Sequence, residues 1–271
     1  MPELPEVETT RRGIAGAIVG RRVTGLRLYD RRLRWPVPAN LGKRLRGKTI
    51  DRVDRRSKYL LLHFGADALL VHLGMTGSLR VHKQAPKRVL HDHVDILLDD
   101  GTTLRYHDPR RFGAMLWVPA PAHHHPLLAR LGPEPFDVAF DVDYLWKATR
   151  NRRAAIKLVL MDNHVVVGVG NIYANESLFR AGIRPSTPAN RVSRARLARL
   201  IIAVREVLTE AIAKGGSTLR DYVDSSGEPG YFQLDYFVYG REDEPCRVCG
   251  TAIRARRMGQ RSSYYCPVCQ R

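Results

Sequence analysis

The residues Met1-Pro2-Glu3-Leu4-Pro5-Glu6-Val7-Glu8 hold the most reactive combination in this 271-residue chain. Removal of Met1 is expected before a small second residue, and it leaves Pro2 with a free secondary amine. An α-amino group titrates at about 8, so a good fraction of it is an unprotonated nucleophile near neutral pH. Such an amine condenses with an aldehyde or a sugar anomeric carbon to give an iminium that stays cationic without holding a proton, an electron sink for elimination. Glu3 and Glu6, three apart, are expected to share a face of a first helical turn, where one carboxyl could pass protons to a sugar oxygen. The same octet also reads as ordinary helix-start chemistry, with proline at the entrance and acids in the first turn. On these residues alone both readings stand.

The tail carries a second pattern, Cys246-x2-Cys249-x16-Cys266-x2-Cys269. This spacing suits a four-thiolate tetrahedral zinc site, and one Zn(II) so enclosed is structural because no coordination position stays open for substrate. A metal of this kind holds a hairpin too small to own a core. Every cysteine of the chain lies in these last 26 residues, so none is left for disulfides elsewhere.

The charge points to the partner. Lys and Arg number 45 against 27 acids, a formal net charge of +18. A polyanion is the leading partner, nucleic acid ahead of an acidic membrane surface, with a merely solvated basic surface as the bland alternative. The chain has no signal peptide and no apolar run of about 18 residues, so a soluble cytoplasmic protein is expected.

The elements that must position these groups fall into two classes. Strand-like runs fill residues 22–118: Val23–Leu28, Lys58–Phe64, Ala68–Leu73, Ser78–His82, Val94–Leu98, Thr102–His107 and Ala114–Val118. With Asp100-Gly101 as a hairpin signal, they predict an all-β sandwich or barrel behind a short helix over Glu6–Gly16. Residues 119–140, rich in Pro, Ala and Gly, read as a linker. The pattern then turns helical, at Tyr144–Asn151, Ala154–Met161, Asn171–Ala181 and, with a long apolar stripe, Ser193–Lys214 before Gly215-Gly216. The fold class expected is α+β: an N-terminal β-sandwich domain (1–133), a helical domain (134–236) and a four-cysteine zinc ribbon (237–271).

Further motifs admit a chemical reading beside a plain one. Arg55-Arg56-Ser57-Lys58-Tyr59 puts a lysine at a strand entrance, where a basic edge is ordinary. His72-Leu73-Gly74-Met75-Thr76-Gly77 presents a flexible apolar side chain in a turn, and His107-Asp108-Pro109-Arg110-Arg111-Phe112-Gly113 sets arginines beside an aromatic. Each could be core filling, yet apolar wedges with an arginine can also fill the hole left by an extruded base. Gly168-Val169-Gly170-Asn171 before a helix suits a phosphate at the helix N-terminus, or is simply a turn. Arg261, between the two cysteine pairs, offers a guanidinium suited to phosphate.

Taken together, these motifs resemble the bacterial formamidopyrimidine-DNA glycosylases from Pro2 to Gln270, with every landmark in order. The stretch from Leu160 through Phe179 resembles the family's helix-two-turn-helix element. The resemblance implies a bifunctional DNA glycosylase and abasic-site lyase of base excision repair, acting on double-stranded DNA with oxidised purines (8-oxoguanine, formamidopyrimidines) or abasic sites. It implies Pro2 as Schiff-base nucleophile, Glu3 as proton carrier, Lys58 in β-elimination and Arg261 in δ-elimination, with Glu6 in support. It makes Met75, Arg110 and Phe112 the void-filling residues, and His72, His91, Arg153 and Asn171 further DNA contacts. It makes the loop around Ser225–Phe232 a cover over the flipped base. Family sequences often have Gly or Ala where Ser57 stands, a departure expected to be harmless. One structural zinc, a monomer and a nucleoid-associated bacterial cytoplasmic location complete the expectation. Two other readings share parts of it: a related glycosylase for oxidised pyrimidines, and a non-catalytic DNA-binding protein with a zinc ribbon, which would leave Pro2-Glu3 and Lys58 without a purpose.

Overall fold

A computed structural model describes residues 2–216 and 236–271. Their backbone contacts divide into two units, one formed by the chain to Ala129 and again from Lys214, the other by Arg130–Ala213 and the C-terminal residues from 236 on.

The first unit is built on two four-stranded antiparallel sheets. One has the order β1-β6-β7-β5, from β1 (Val23–Leu28), β5 (Ser78–His82), β6 (Asp92–Leu98) and β7 (Thr103–His107). The other has the order β2-β3-β4-β8, from β2 (Arg52–Arg56), β3 (Tyr59–Phe64), β4 (Asp67–His72) and β8 (Ala114–Val118). Leu60, Leu62, Leu69 and Val71 of one sheet and Val94, Ile96, Leu104 and Tyr106 of the other belong to a single buried cluster, as the two inner faces of a sandwich do. Helix α1 (Leu4–Ile18) adds Val7, Ile14 and Ile18 to that cluster. At roughly 1.5–3 kcal/mol for each buried aliphatic side chain, this face anchors the helix that follows Pro2 and Glu3.

Beyond the sequence expectation this unit holds β2, the short helix α2 (Leu41–Leu45) and a 3-10 turn at Ala122–His124, and α1 begins two residues earlier than predicted. Glu3 therefore lies outside the helix, in extended conformation at its N-cap, with Glu6 in the first turn.

The second unit contains α3 (Val142–Arg150), capped by the Asp141 carboxylate, then α4 (Ile156–Leu160), α5 (Asn171–Arg180) and α6 (Arg194–Ala213). Residues 130–140 pack onto these helices. The Gly132 N–H donates to Asn163 O, and the Arg205 guanidinium of α6 donates to the carbonyls of Pro135, Asp137 and Phe140. The hairpin β9 (Arg254–Met258) and β10 (Arg261–Tyr265) forms the ribbon. Sandwich, helical domain and ribbon agree with the α+β expectation. No helix among the described residues is long and apolar enough to cross a membrane.

Candidate active site

The N-terminus is shaped by its own first turn. Pro2 is buried, and Glu3 and Glu6 are 3% and 1% exposed. The Glu6 carboxylate accepts the Glu3 backbone N–H at 2.7 Å, one arm of a capping box whose other arm is the Glu3 side chain, so Glu6 orients the backbone beside Pro2.

Lys58, also buried, is the second residue of the two-residue loop joining β2 and β3, where Arg56 pairs with Tyr59. The first residue, Ser57, has φ 58°, a left-handed backbone that favours glycine. The serine expected to be harmless therefore carries backbone strain directly beside Lys58. What holds the loop is Arg55, whose Nη1 donates to Ser57 O at 3.0 Å and whose Nε donates to Glu8 of α1 at 3.2 Å. Glu8 is pushed up by burial, but hydrogen bonds from Arg11 and Arg12 and the Arg11 and Arg55 charges outweigh that and bring it down to about 2. An ion cluster thus ties the helix that follows Pro2 to the hairpin that carries Lys58, at a segment whose residue types alone also read as an ordinary basic edge.

The segments that carry Met75 and Arg110-Arg111-Phe112 are knotted together behind their tips. Asp108, 0% exposed, accepts from the Thr76 hydroxyl at 3.1 Å and the Gly113 N–H at 2.8 Å, while Tyr106 OH donates to His72 O at 2.9 Å. A Cβ on Gly74 would come within 2.6 Å of the Gly113 nitrogen, and one on Gly113 within 1.7 Å of Tyr106 OH, so only glycine permits this approach. From this base Met75 emerges half-buried and Phe112 is 44% exposed, with the Arg110 guanidinium 4.9 Å from the Phe112 ring centroid. Arg34, Arg110, Arg111 and Phe112 line an open cavity of about 430 Å³.

His72 joins the parts. Its Nδ1 accepts the Gly74 N–H at 3.2 Å, and it also hydrogen-bonds the Phe112 backbone. Burial, then the Lys58 and Arg34 charges, pull it down to about 4, so it is a neutral imidazole near pH 7. Its hydrogen bonds address the Met75 loop and the Phe112 loop. His91 has φ 73°, its carbonyl accepts the Asp108 N–H at 3.1 Å, and its buried Nδ1 has no partner among the described residues.

The other predicted residues belong to the second unit. Arg153 is exposed just before α4, and Asn171 opens α5, preceded by Gly170 in extended conformation. Arg261 is exposed at the start of β10, where the turn Gly259-Gln260 has positive φ at both residues, as a type I′ hairpin requires. The sulfurs of Cys246, Cys249, Cys266 and Cys269 all lie within 4.8 Å of one another. Tetrahedral Zn–S bonds of about 2.3 Å require sulfurs roughly 3.8 Å apart, so the donor set fits one structural zinc. The loop around Ser225–Phe232, and Met1, lie outside the described residues.

Comparison with known proteins decides the family. The family model described as the formamidopyrimidine-DNA glycosylase N-terminal domain matches residues 1–115, the H2TH domain model of the same enzymes matches 131–223, and a zinc finger found in FPG and IleRS matches 243–271. The formamidopyrimidine-DNA glycosylase of Thioalkalivibrio sulfidiphilus is 59% identical over all of both chains, and that of Methylococcus capsulatus 56%. This chain belongs to the formamidopyrimidine-DNA glycosylase family. Among solved members, the MutM (Fpg) protein of Thermus thermophilus superposes with TM-score 0.88 at 40% identity, covering 99% of this chain and 98% of that one. Lactococcus lactis Fpg in complex with abasic-site DNA gives TM-score 0.90 at 34% identity over 99% of each chain. A second Lactococcus lactis complex, with Fapy-dG DNA, also gives 0.90 at 34%, covering 99% of this chain and all of that one. Within this family the sequence reasoning missed Glu8, Arg55, Asp108 and Tyr106, all polar residues whose burial their identities do not announce.

Proposed function

We propose that this protein is a bifunctional DNA glycosylase of base excision repair that removes oxidised purines, 8-oxoguanine and formamidopyrimidines among them, from duplex DNA and cuts the strand at the resulting abasic site. The observation that carries the reading is the N-terminus: Pro2 buried at the mouth of α1, Glu3 capping that helix and Glu6 fixing Glu3's backbone. A plain helix cap would not need a buried proline and two carboxylates 3% and 1% exposed. Support comes from relatives solved with abasic-site and Fapy-dG DNA, and from the net charge of +18.

With Met1 removed, the Pro2 nitrogen lone pair attacks C1′ of the extruded nucleotide, and the bond from C1′ to the base breaks with its electrons and a proton going to the base. Glu3 delivers a proton to the sugar ring oxygen as the ring opens, leaving a C1′ iminium on Pro2. Loss of a C2′ proton sends electrons into that cation, and the C3′–O bond breaks to release the 3′ phosphate. Lys58 handles protons in this step. A second elimination breaks the C5′–O bond, with Arg261 at the departing phosphate. Met75, Arg110 and Phe112 fill the space the base leaves, and His91, Arg153 and Asn171 hold the backbone.

The test is borohydride reduction of the protein mixed with an 8-oxoguanine duplex. A covalent adduct is expected from wild type and none from protein with a residue retained before Pro2, because an acylated nitrogen cannot attack. Glu3→Gln is expected to abolish excision yet still be trapped on a preformed abasic site, where an open aldehyde is already present in part of the population. Undiminished trapping by the N-terminally extended protein would refute Pro2 as the nucleophile.

A further inference from the structure

One amide in the second unit links Asn171 to the strand that carries Arg261. Asn175, on α5, is 0% exposed. Its Nδ2 donates to the Asn171 backbone carbonyl at 2.6 Å, and its Oδ1 accepts the Tyr264 backbone N–H at 2.8 Å. Tyr264 lies on β10, three residues after Arg261.

The ribbon's geometry explains why that N–H is on offer. In a hairpin closed at Met258 and Arg261, alternate residues bond across the ladder, so Ser262 and Tyr264 turn their backbone groups away from β9. Such an edge ordinarily invites another strand. Here side chains occupy it instead: Lys157 Nζ of α4 donates to Ser262 O at 2.8 Å, and Asn175 takes the Tyr264 N–H. An amide suits this position because it accepts from the strand and donates to the helix at once; a carboxylate lacks the donor and an aliphatic chain lacks both.

We infer that Asn175 is a positioning residue that sets the spacing between the N-terminus of α5, where Asn171 lies, and the strand that carries Arg261. It touches no substrate. Its effect on the reaction passes through Arg261, and in that respect the inference rests on the proposed role of Arg261 in the second elimination. Lys157, the cysteines and Gln270, which donates to Ile183 O and accepts from Cys266 N–H, hold the ribbon independently. Loss of Asn175 therefore releases one strand edge and leaves the ribbon folded.

The experiment uses full-length, zinc-loaded protein and a duplex with one abasic site, resolving the product of the first elimination from that of both. Arg261→Ala serves as reference. Asn175→Ala is expected to shift the product ratio at least about tenfold toward the first elimination, with zinc stoichiometric and the first cut within about twofold of wild type. Asn175→Asp keeps the acceptor for Tyr264 and is expected to restore the second elimination while raising KM, because its carboxylate faces the Asn171 carbonyl. Hydrogen exchange at the Tyr264 amide is expected to accelerate in Asn175→Ala and stay slow in Asn175→Asp. A wild-type product ratio in Asn175→Ala, when Arg261→Ala has lost the second product, overturns the inference. If Arg261→Ala retains the second product, the role of Arg261 is what fails; a protected Tyr264 amide and unchanged DNA affinity in Asn175→Ala would then overturn the positioning as well.

Discussion

The Thr76 hydroxyl donates to the buried Asp108 carboxylate at 3.1 Å, and this bond joins the loop that carries Met75 to the loop that carries Arg110 and Phe112. The two loops are one object with two tips. Thr76→Val is expected to cost about 1–2 kcal/mol by removing one donor from a buried carboxylate, and Asp108→Ala roughly 2–4 kcal/mol by orphaning the Gly113 N–H as well. Urea denaturation measures both.

If the tips replace an extruded base, Thr76→Val, Met75→Ala and Phe112→Ala will slow excision from an oxidised duplex more than cutting at a preformed abasic site, where no base has to leave the stack. Single-turnover rates on the two substrates separate the cases. Equal losses on both would leave these residues a packing role only.

The histidine between those loops gives the fold an acid-sensitive joint. His72 is held at about 4 against an ordinary 6.5, so the folded state binds its proton less readily than the unfolded chain does. Its contribution is complete above pH 6.5 and is lost as pH falls toward 4, by roughly 3 kcal/mol at most. The difference in unfolding free energy between wild type and His72→Gln should therefore change over that interval and be flat above it. A flat difference throughout would show that the ring is not protected from protonation.

Glu8 acts in a lower window. Its contribution is complete above its ordinary 4.5 and declines as pH drops toward 2. Near neutral pH, Glu8→Gln frees Arg55 from α1 and loosens the Ser57 carbonyl beside Lys58. Adduct formation on abasic DNA should persist because Pro2 is untouched, while strand cutting slows by about three- to tenfold from misplaced proton transfer. Parallel loss of adduct and cutting would mean that the cluster supports only the helix.

Removing one zinc ligand tests the tail. Cys249→Ser is expected to lose the metal, unfold the hairpin and weaken DNA binding through Arg261. Metal analysis alongside binding isotherms checks it, and full activity with less than stoichiometric zinc would contradict it.

How legible these features were depended on whether a residue's type announces its surroundings. Strands β1, β5 and β8 matched their expected bounds, β5 because Leu79 and Val81 alternate with polar residues and β8 because it is apolar throughout, whereas β2 was hidden: Arg-Val-Asp-Arg-Arg shows a single apolar residue, and its charges suit an edge strand of the sheet. Helix α2, at five residues, is too short to show a period. The cysteines were plain because thiol spacing has few other uses. Asp108, Arg55 and Asn175 were not, because a polar residue in a sequence carries no mark of burial until the chain closes around it.

The arrangement at Glu6 also bears on the order of synthesis. A Cβ on Gly216 would come within 3.0 Å of the Glu6 carboxylate, so this glycine lies against the group that orients Glu3. The chain departs the first unit after Ala129 and rejoins it at Lys214. Pro2 and Glu3 leave the ribosome first, yet the residue that backs Glu6 is not translated until the helical domain has been made. At about 5–20 residues per second, that delay is roughly 10–40 s. A prematurely terminated fragment would present the N-terminus without its finished surroundings, so the timing of translation itself keeps this end of the molecule incomplete until most of the chain exists.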